Sequence, residues 1–444
     1  MTIKRLSLSA IVWGGAVLSA QVHGAGFALT EQSASGAGEA FAGGAASADN
    51  ASTVYFNPAG MTNLKTSDQL LAGGHAIEPT LKFTNQGSVQ ADGSTPLTGD
   101  STQDGGVPAL VPNIYYVRRI SPDLSAGLGI NVPFGLAVKY DDNWVGRYHA
   151  VDSELSTINV NPSVAYKATD NLSLGLGVSV QTLDVTLSSA IDFGAFLGQS
   201  QSQQHDGFVT IKGDNHDNLS YGWNTGLLYQ WEDHTRVGLA YRSAIEHKIK
   251  GDADFTVPGV TSFLVDNGLF TDSKVSADVK FPQMVSLSAI HPYNDDLAVM
   301  ADVTWTGWSA FKELRVKYDN PNQPDSVTTE DWKDTYRYSV GARYRLNHEI
   351  QLRSGLAYDQ SPVPNAQRRT ARIPDNDRTW FSLGVGYQAA KSLSLSFAYS
   401  HLWVKTTEIH NQLETSVPAL NSTLNGSYES SVNIFSAQLV WNIQ

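Results

Sequence analysis

Apolar and polar residues alternate with a period of two along most of the chain. From residue 172 to 181, the apolar series Leu, Leu, Leu, Val, Val alternates with Ser, Gly, Gly, Ser, Gln. Similar runs cover residues 221–231 and 392–399. Such alternation puts apolar side chains on one face of a β-strand and small or polar ones on the other. Runs of about ten residues exceed the five or six that are usual in a soluble sandwich. The pattern therefore predicts an all-β fold with long strands.

The connections between the runs indicate how the strands are arranged. Very short polar turns lie at 121–123, 169–171, 232–234, 294–296, 347–349 and 389–391. Long connections lie at 86–107, 140–153, 188–216, 250–273, 319–330, 359–376 and 404–430. These seven long and six short connections alternate strictly, which gives fourteen strands. An even number of strands with turns on one side and loops on the other is typical of outer-membrane barrels. Residues 67–444 are therefore predicted to form a fourteen-stranded antiparallel transmembrane β-barrel.

Aromatic residues near the predicted strand ends fit the girdles that flank the apolar band of such barrels. They are Tyr115, Tyr116, Tyr166, Trp231, Trp380, Trp403 and Trp441.

The first residues have the pattern of a secretory signal peptide. Lys4 and Arg5 precede an uncharged, largely apolar run over residues 6–20, and small residues follow it. This pattern predicts a signal peptide over residues 1–24 that is cleaved before Ala25, with cleavage after Ala20 as the alternative. Together with the strand pattern, the signal predicts the outer membrane of a Gram-negative bacterium.

Composition argues against several classes of function. The formal net charge is −13, which disfavours nucleic acid as a partner, and the absence of cysteine excludes thiolate ligands and disulfides. The 11 histidines are scattered, without an H-E-x-x-H or G-x-S-x-G motif. We therefore predict no catalytic site, metal or cofactor, and a protein that is not an enzyme. An outer-membrane lipase stays open as an alternative, because a Ser/His pair can assemble from distant strands. A passive adhesin or phage receptor is a third possibility.

Residues 25–66 do not follow the barrel pattern. Residues 25–60 contain 11 Ala and 6 Gly and no basic residue. A segment with such small side chains and little charge can pack inside a barrel, so we predict an amino-terminal hatch over residues 25–66. The alternative is a disordered periplasmic tail. The turn at Asn57, Pro58 and Ala59 favours an ordered segment.

Blocks of sequence resemble the FadL family of outer-membrane transporters for long-chain fatty acids and other hydrophobic compounds. They occur in family order at 26–29, 33–36, 57–59, 133–136, 144–148, 221–226, 305–309, 333–337, 359–364 and 373–378. The resemblance implies a fourteen-stranded barrel closed by a hatch. It also implies that ligand is captured among the extracellular loops, held in the lumen and released through an opening at a kinked third strand. Uptake of toluene-like aromatic hydrocarbons by the same route is the alternative function.

The resemblance and the pattern together point to candidate site residues. Apolar residues in two long loops form a predicted capture surface, with loop-on-loop packing as the alternative: Phe193, Phe196, Phe263, Leu264 and Phe270. Pro133 and Gly135 interrupt the third strand, where a proline cannot donate to the ladder, and mark the predicted lateral opening. Asn57, Pro58 and Ala59 are expected to take part in hatch gating.

Strand parity places some basic residues in the lumen. If Tyr336 and Tyr338 face lipid, Arg337 faces inward. In the same way, if Leu314 and Val316 face lipid, Arg315 faces inward. By resemblance, Arg315 matches a basic position that contacts the ligand head group. Arg378 is a third candidate, and each arginine could instead pair with a lumenal carboxylate, as Arg378 could with Asp334. The expected partners are a hydrophobic small molecule and outer-membrane lipid, and we expect a monomer.

Overall fold

The computed structural model describes residues 25–231 and 235–443. Within these ranges the strands form one closed antiparallel barrel of fourteen strands, which confirms the predicted fold class. The first seven are β1 (Asp68–Asn85), β2 (Ala109–Arg119), β3 (Leu124–Asn131 and Gly135–Lys139), β4 (Asp152–Lys167), β5 (Leu172–Asp192), β6 (Asp206–Asp214 and Ser220–Trp231) and β7 (Thr235–Arg242 and Ile245–Thr256). The other seven are β8 (Ser273–Phe281 and Met284–Pro292), β9 (Leu297–Thr306 and Glu313–Tyr318), β10 (Ser326–Thr329 and Thr335–Arg345), β11 (Ile350–Asp359), β12 (Arg378–Ala390), β13 (Leu393–Val404 and Thr407–Gln412) and β14 (Thr423–Ile443).

The barrel closes between its first and last strands. β1 pairs with β14 from Asp68 opposite Ile443 to Asn85 opposite Gly426. A short additional strand, Thr102–Asp104, pairs with the carboxyl-terminal end of β1. The short turns lie at one end of the barrel, which we call the turn end, and the long connections lie at the other, the loop end. Several strands continue into the predicted long connections, so the wall extends farther toward the loop end than the pattern predicts.

Helical structure is brief. The α-helices are α1 (Ala34–Ala37), α2 (Gly44–Ser47), α3 (Thr53–Phe56) and α4 (Ser262–Asp266). The 3-10 turns are Pro58–Asn63, Phe193–Leu197, Gln199–Gln201, Gly259–Thr261, Trp308–Ala310 and Pro418–Leu420. In the described part of the chain, no helix is long and apolar enough to cross a membrane.

We call the half of the barrel nearer the turn end the lower part and the half nearer the loop end the upper part. The outer surface of the wall is apolar over its lower part. On β5, Leu174, Leu176 and Val178 are exposed, whereas Ser173 and Gln181 on the alternate positions are buried. This is the reverse of a soluble protein and is the pattern of a strand that faces lipid on its outer side. Four predicted girdle residues are exposed on the outside: Tyr166, Trp231, Trp403 and Trp441. Tyr115 and Trp380 are instead completely buried, so their assignment to a girdle is wrong. Each packs against the amino-terminal segment that fills the lumen.

Polarity reverses farther along the same strand. Above Gln181, the side chains of Leu183, Val185 and Leu187 point into the barrel, while Asp184 and Thr186 point outward. The alternation itself is unbroken, so the environment has changed rather than the register. The upper wall therefore encloses an apolar interior and presents polar side chains outside, as a wall standing in water would.

Residues 25–64 lie inside the barrel, against the inner faces of the strands. Glycines of the wall allow backbone to approach backbone, because a Cβ on Gly238 would clash with Ala45 and one on Gly355 would clash with Glu39. We call residues 25–64 the amino-terminal segment. It fills the lower lumen and leaves the upper lumen open.

Candidate functional site

A cavity of about 460 Å³, which we call the outer chamber, lies among the connections at the loop end. Its apolar lining comes from β5, β6, β7 and β9, through Leu187, Ile211, Phe255 and Val316. Residues 322–329 and 411–417 supply a polar part of the lining. The chamber is large enough to accept an apolar chain beneath a polar rim.

A second, narrower cavity of about 70 Å³ adjoins the outer chamber on the side toward the membrane. Its lining is almost entirely apolar and includes Leu136, Val185 and Ile249. We call it the inner chamber. Residues that line both chambers show that the two meet: Leu187, Ile211, Leu314, Val316 and Arg372.

Phe27 of the amino-terminal segment lines the inner chamber and is fully buried. Its ring centroid lies 5.2 Å from that of Phe281, 4.7 Å from Trp308 and 5.6 Å from Phe311, with rings in edge-to-face orientation. Such pairs add stability beyond the area that they bury. The amino-terminal segment is thus packed into the apolar lining of the inner chamber.

The third strand is interrupted next to this chamber, at residues 132–134. On one side of the interruption Asn131 lies opposite Asn159 of β4, and on the other side Gly135 lies opposite Ser156. Three residues of β3 thus span the interval that two residues of β4 span. One extra residue in one strand is a β-bulge, which bends the strand and leaves the local ladder unpaired.

The extra residue exchanges the two faces of β3. Leu128 and Ile130 are exposed on the outside, yet Phe134, Leu136 and Val138, at the same parity, are buried. A one-residue shift sends every following side chain to the opposite face. Pro133 therefore lies within the strand, at the point where its apolar face turns from lipid to lumen.

The wall has a gap beside the bulge. Pairing of β2 with β3 ends where Ile114 lies opposite Ile130, and among the described residues it returns only as an isolated bridge between Gly106 and Val138. The amino-terminal segment pairs with the interrupted strand from inside. Leu29 donates its N–H to the Pro133 carbonyl at 2.8 Å, and Gly135 donates to the Phe27 carbonyl at 2.9 Å. The predicted opening residues thus lie beside both the gap and the inner chamber.

The Asn57-Pro58-Ala59 turn is fixed to the wall. The buried Asn57 amide donates to the Ala45 carbonyl at 2.7 Å and to the Leu227 carbonyl of β6 at 3.0 Å. Its side-chain oxygen accepts from the Ala59 N–H at 3.1 Å. One side chain therefore holds two parts of the segment against one strand.

Ion pairs hold the segment at the turn end, and we call them the basal network. Arg343 of β10 lies 2.7 Å from Glu39 and 2.5 Å from Asp49, measured between charged N and O atoms. Arg353 lies 3.3 Å from Glu39, and Arg236 lies 3.7 Å from Asp49. A buried pair of this kind is costly to break, because the remaining charge has no partner.

Two of the candidate arginines lie inside the barrel with partners of their own. Arg337 donates to the Ala40 carbonyl at 2.6 Å and lies 5.1 Å above the Trp380 ring. It therefore contacts the amino-terminal segment, away from the two chambers. Arg378 is buried and pairs with Asp375, not with Asp334, which accepts from the Ser309 N–H.

The inward placement of Arg315 is wrong. Leu314 and Val316 line the chambers, whereas Arg315 is partly exposed on the opposite face, 2.7 Å from Glu313 and 3.2 Å from Asp325. The prediction assumed that apolar residues still face lipid beyond Gly307, as they do in the lower wall. There β9 leaves the membrane and its apolar residues turn inward, because water surrounds the wall.

The loop aromatics pack on each other and border the outer chamber. Phe193, Leu264 and Phe270 are buried in one cluster, with the Phe193 and Phe270 ring centroids 5.0 Å apart. Phe196 and Phe270 line the chamber, while Phe263 is exposed. Some of these residues therefore line the chamber, and others pack loop on loop.

The sequence analysis did not single out Arg372 and Glu330, which are charged residues at the chambers. Arg372 lines both chambers, and Glu330 lines the inner one. Burial raises the pKa of Glu330 to about 8, although the carboxylate accepts from Trp332 Nε1 at 2.8 Å. Burial also lowers the pKa of Arg372 to about 10, which leaves it protonated at neutral pH. Both lie in predicted connections, where strand parity gives no orientation. Only the arginine-rich run 368–372 could have drawn attention to Arg372.

The closed barrel, the apolar outer belt and the apolar chambers define an outer-membrane transport protein for hydrophobic compounds. The chain belongs to the family described as "Outer membrane protein transport protein (OMPP1/FadL/TodX)", whose model matches residues 15–442. It is 32% identical over 425 residues to the long-chain fatty acid transport protein of Escherichia coli O6:H1, covering 90% of this chain and 92% of that protein.

Solved structures agree with this assignment. A FadL homologue of Pseudomonas aeruginosa is 28% identical, with a TM-score of 0.87, and covers 95% of this chain and 100% of that one. The toluene transporter TbuX of Ralstonia pickettii shares the fold at 20% identity, with a TM-score of 0.65 and coverage of 93% and 98%. The family consists of transport proteins, and its description as outer-membrane proteins confirms the predicted location.

Proposed function

We propose that this protein takes up long-chain fatty acids across the outer membrane. Ligand enters the outer chamber among the loops, passes to the inner chamber and leaves through the gap between β2 and β3. The observation that carries this proposal is the row of adjoining apolar cavities that ends beside the interrupted strand. The fatty-acid transport protein of Escherichia coli O6:H1 supports the choice of ligand.

Release sideways into the bilayer is favoured by the chemistry of the ligand. Each methylene that enters water costs about 0.8 kcal/mol, so an acyl chain loses little by moving from an apolar chamber into lipid. The alternative path runs through the lumen toward the turn end. It is filled by the amino-terminal segment and crosses the charged basal network. Lipid of the outer membrane is thus the acceptor, and a single barrel contains the whole path.

The amino-terminal segment acts as the main part of the hatch predicted over residues 25–66. Its first turn is the moving part in this proposal, because Phe27 borders the inner chamber and residues 27–29 pair with the interrupted strand. Ligand that displaces Phe27 loosens those two backbone hydrogen bonds. The Asn57-Pro58-Ala59 turn sets the position from which the first turn moves.

Uptake of aromatic hydrocarbons is the second candidate. The almost completely apolar inner chamber favours it, since toluene needs no polar partner in a binding site. A flux assay in proteoliposomes with oleate and toluene, measured in the same preparation, distinguishes the two. We expect saturable oleate transport and weaker toluene transport, and transport of toluene alone would overturn the choice of ligand.

The lateral path is tested by removing the extra residue of β3. Deletion of Pro133 makes the interval between Asn131 and Gly135 equal to that on β4, so the ladder can close across the bulge. We expect oleate flux to fall at least about tenfold in a barrel that remains heat-resistant. Pro133→Ala is the matched control, because it keeps the residue count and therefore the bulge. Equal flux through the deletion variant and the control would contradict a lateral exit.

A further inference from the structure

One glutamate of the amino-terminal segment lies in the lumen without a partner. Glu31 is completely buried, and neither of its carboxyl oxygens has a hydrogen-bond partner among the described residues. The other glutamate of the segment, Glu39, is also buried but pairs with two arginines of the basal network. A buried charge without a partner is very costly, so these surroundings favour the neutral, protonated carboxyl of Glu31. Burial raises its pKa to about 7.

Charged and titratable groups from several elements face this carboxyl. Arg337 of β10 and Arg378 of β12 act on it as cations, and Asp359 of β11 acts on it as an anion. Tyr55 of α3 is the nearby hydroxyl. Arg378 has an ion pair of its own, whereas the buried Nε–H of Arg337 has no acceptor in the described part of the chain. Glu31 and Arg337 are thus an acid and a base with unused polar atoms that do not contact each other.

A cavity of about 90 Å³, which we call the hatch cavity, lies between the amino-terminal segment and the wall at this point. Thr30, the neighbour of Glu31, lines it from the segment, and Arg337 lines it from β10. Ala28 and Leu29 line it as well. The hatch cavity therefore gives the Glu31 side chain a space beside Arg337 into which it can move when the segment shifts.

Glu31 lies between two contacts that join the segment to the interrupted strand. Backbone groups of Phe27 and Leu29 pair with β3, and the Gln32 side-chain amide donates to a carbonyl of the β3 bulge at 2.8 Å. A movement that frees the first turn from β3 therefore also changes the position of Glu31.

We propose that Glu31 is a proton-dependent gating residue of the hatch, protonated and buried while the first turn pairs with β3, and ionised and paired with Arg337 once the turn has moved. The inference rests on the proposed function, because it concerns the hatch movement that this function requires. Opening releases the carboxyl proton to water. A rise in pH therefore favours the open hatch, and a fall in pH favours the closed one.

Amide hydrogen exchange of the ligand-free barrel in lipid nanodiscs tests the proposal. The exchange rates of residues 27–32 are divided by the intrinsic rate at each pH, so that the ratio reports opening of the first turn alone. The carboxyl titrates near pH 7 in the closed state. With an ordinary pKa of about 4.3 in the open state, the ratio should rise at least about tenfold between about pH 5.5 and 8.5 and level off above about pH 7.

Three variants identify the group that titrates. Glu31→Gln retains the shape of the protonated side chain and should make the ratio independent of pH. Arg337→Gln should reduce the response, because ionised Glu31 loses its partner. Glu330→Gln is the control, because Glu330 also titrates in this range but lies at the inner chamber, outside the segment. An unchanged pH response in Glu31→Gln, or its loss in Glu330→Gln, would overturn the proposal.

Transport of oleyl alcohol, a ligand without a titrating carboxyl group, extends the test to function. Its flux into proteoliposomes should rise with pH in the wild type and stay constant with pH in Glu31→Gln. A flux that does not depend on pH in the wild type would overturn the gating role of Glu31. A barrel whose exchange ratio rises with pH but which transports neither oleate nor oleyl alcohol would instead refute the proposed function and leave the proton-dependent movement standing.

Discussion

The lower and upper halves of the barrel share the same strands but place apolar and polar side chains on opposite faces. In the lower half, Leu174 and Leu176 face outward and polar residues face a lumen filled by the amino-terminal segment. In the upper half, Val185 and Leu187 face inward and line the chambers. The lower half is built for lipid outside and packing inside, and the upper half for water outside and a hydrophobic ligand inside. Ligand binding is therefore possible only where the apolar face has turned to the lumen.

The two halves also differ in how charge is used. Below, the basal network joins the segment to the wall through paired charges. Above, Arg372 and Glu330 lie at apolar chambers without pairing with each other within 4.0 Å. Paired charges hold a structure in place, whereas a charged side chain without an ion-pair partner can still interact with a ligand. Variants in each half of the barrel test this difference.

The largest effect is expected from breaking the basal network. Arg343→Met leaves Glu39 and Asp49 buried with weakened pairing, which costs about 3–5 kcal/mol when a buried pair loses one partner. The segment should loosen, and ion conductance through the barrel should rise in planar bilayers. Arg368→Met is the control, because Arg368 makes its pairs with Asp331 and Glu414 at the loop end. Conductance that stays at the wild-type level in Arg343→Met would show that packing alone seals the lower lumen.

A pH effect is expected from Glu330 in the upper half. Folding raises the pKa of Glu330 from 4.5 to about 8 by burial, so the folded state holds a proton that the unfolded state releases. This contribution to stability is present below about pH 4.5 and is lost as the pH rises toward 8. Because a tenfold change in proton affinity corresponds to about 1.4 kcal/mol, the loss amounts to a few kcal/mol.

Thermal unfolding of the barrel between pH 5 and pH 8.5 measures this linkage. Glu330→Gln, which keeps a neutral group beside Trp332, should flatten the dependence and make the protein more stable at pH 8. An identical pH profile for the variant and the wild type would show that Glu330 does not titrate in this range.

A smaller loss is expected from the turn that anchors the segment. Asn57→Ala removes the donor to the Ala45 and Leu227 carbonyls, and the loss of a hydrogen bond to a buried acceptor such as the Ala45 carbonyl costs about 1–3 kcal/mol. Hydrogen exchange of residues 45–60 should speed up, while the inner chamber keeps its affinity for oleate. Loss of oleate binding without faster exchange would instead make Asn57 part of the binding path.

The smallest effect is expected from Arg315. It makes partly exposed pairs with Glu313 and Asp325, which contribute about 0–1 kcal/mol, and it points away from the chambers. Arg315→Met should change oleate affinity less than about twofold when binding is measured with the barrel in lipid nanodiscs. A tenfold loss would restore Arg315 as a head-group contact and would contradict the position of the upper part of β9.

The sequence alone determined the closed barrel, because period-two alternation and alternating connection lengths are local signals that need no contacts to interpret. The blocks of sequence in family order indicated the family. It also located Pro133 and Gly135, since a proline inside a strand is visible wherever it occurs. Tertiary structure decided which face of each strand meets water, lipid or ligand. The alternation of β5 continues unbroken while its meaning reverses, and β9 reverses after Gly307, so parity could not place Arg315. Arg372 was beyond reach for a different reason: it lies in a connection, where strand parity does not apply, and only folding brings it to the junction of the two chambers.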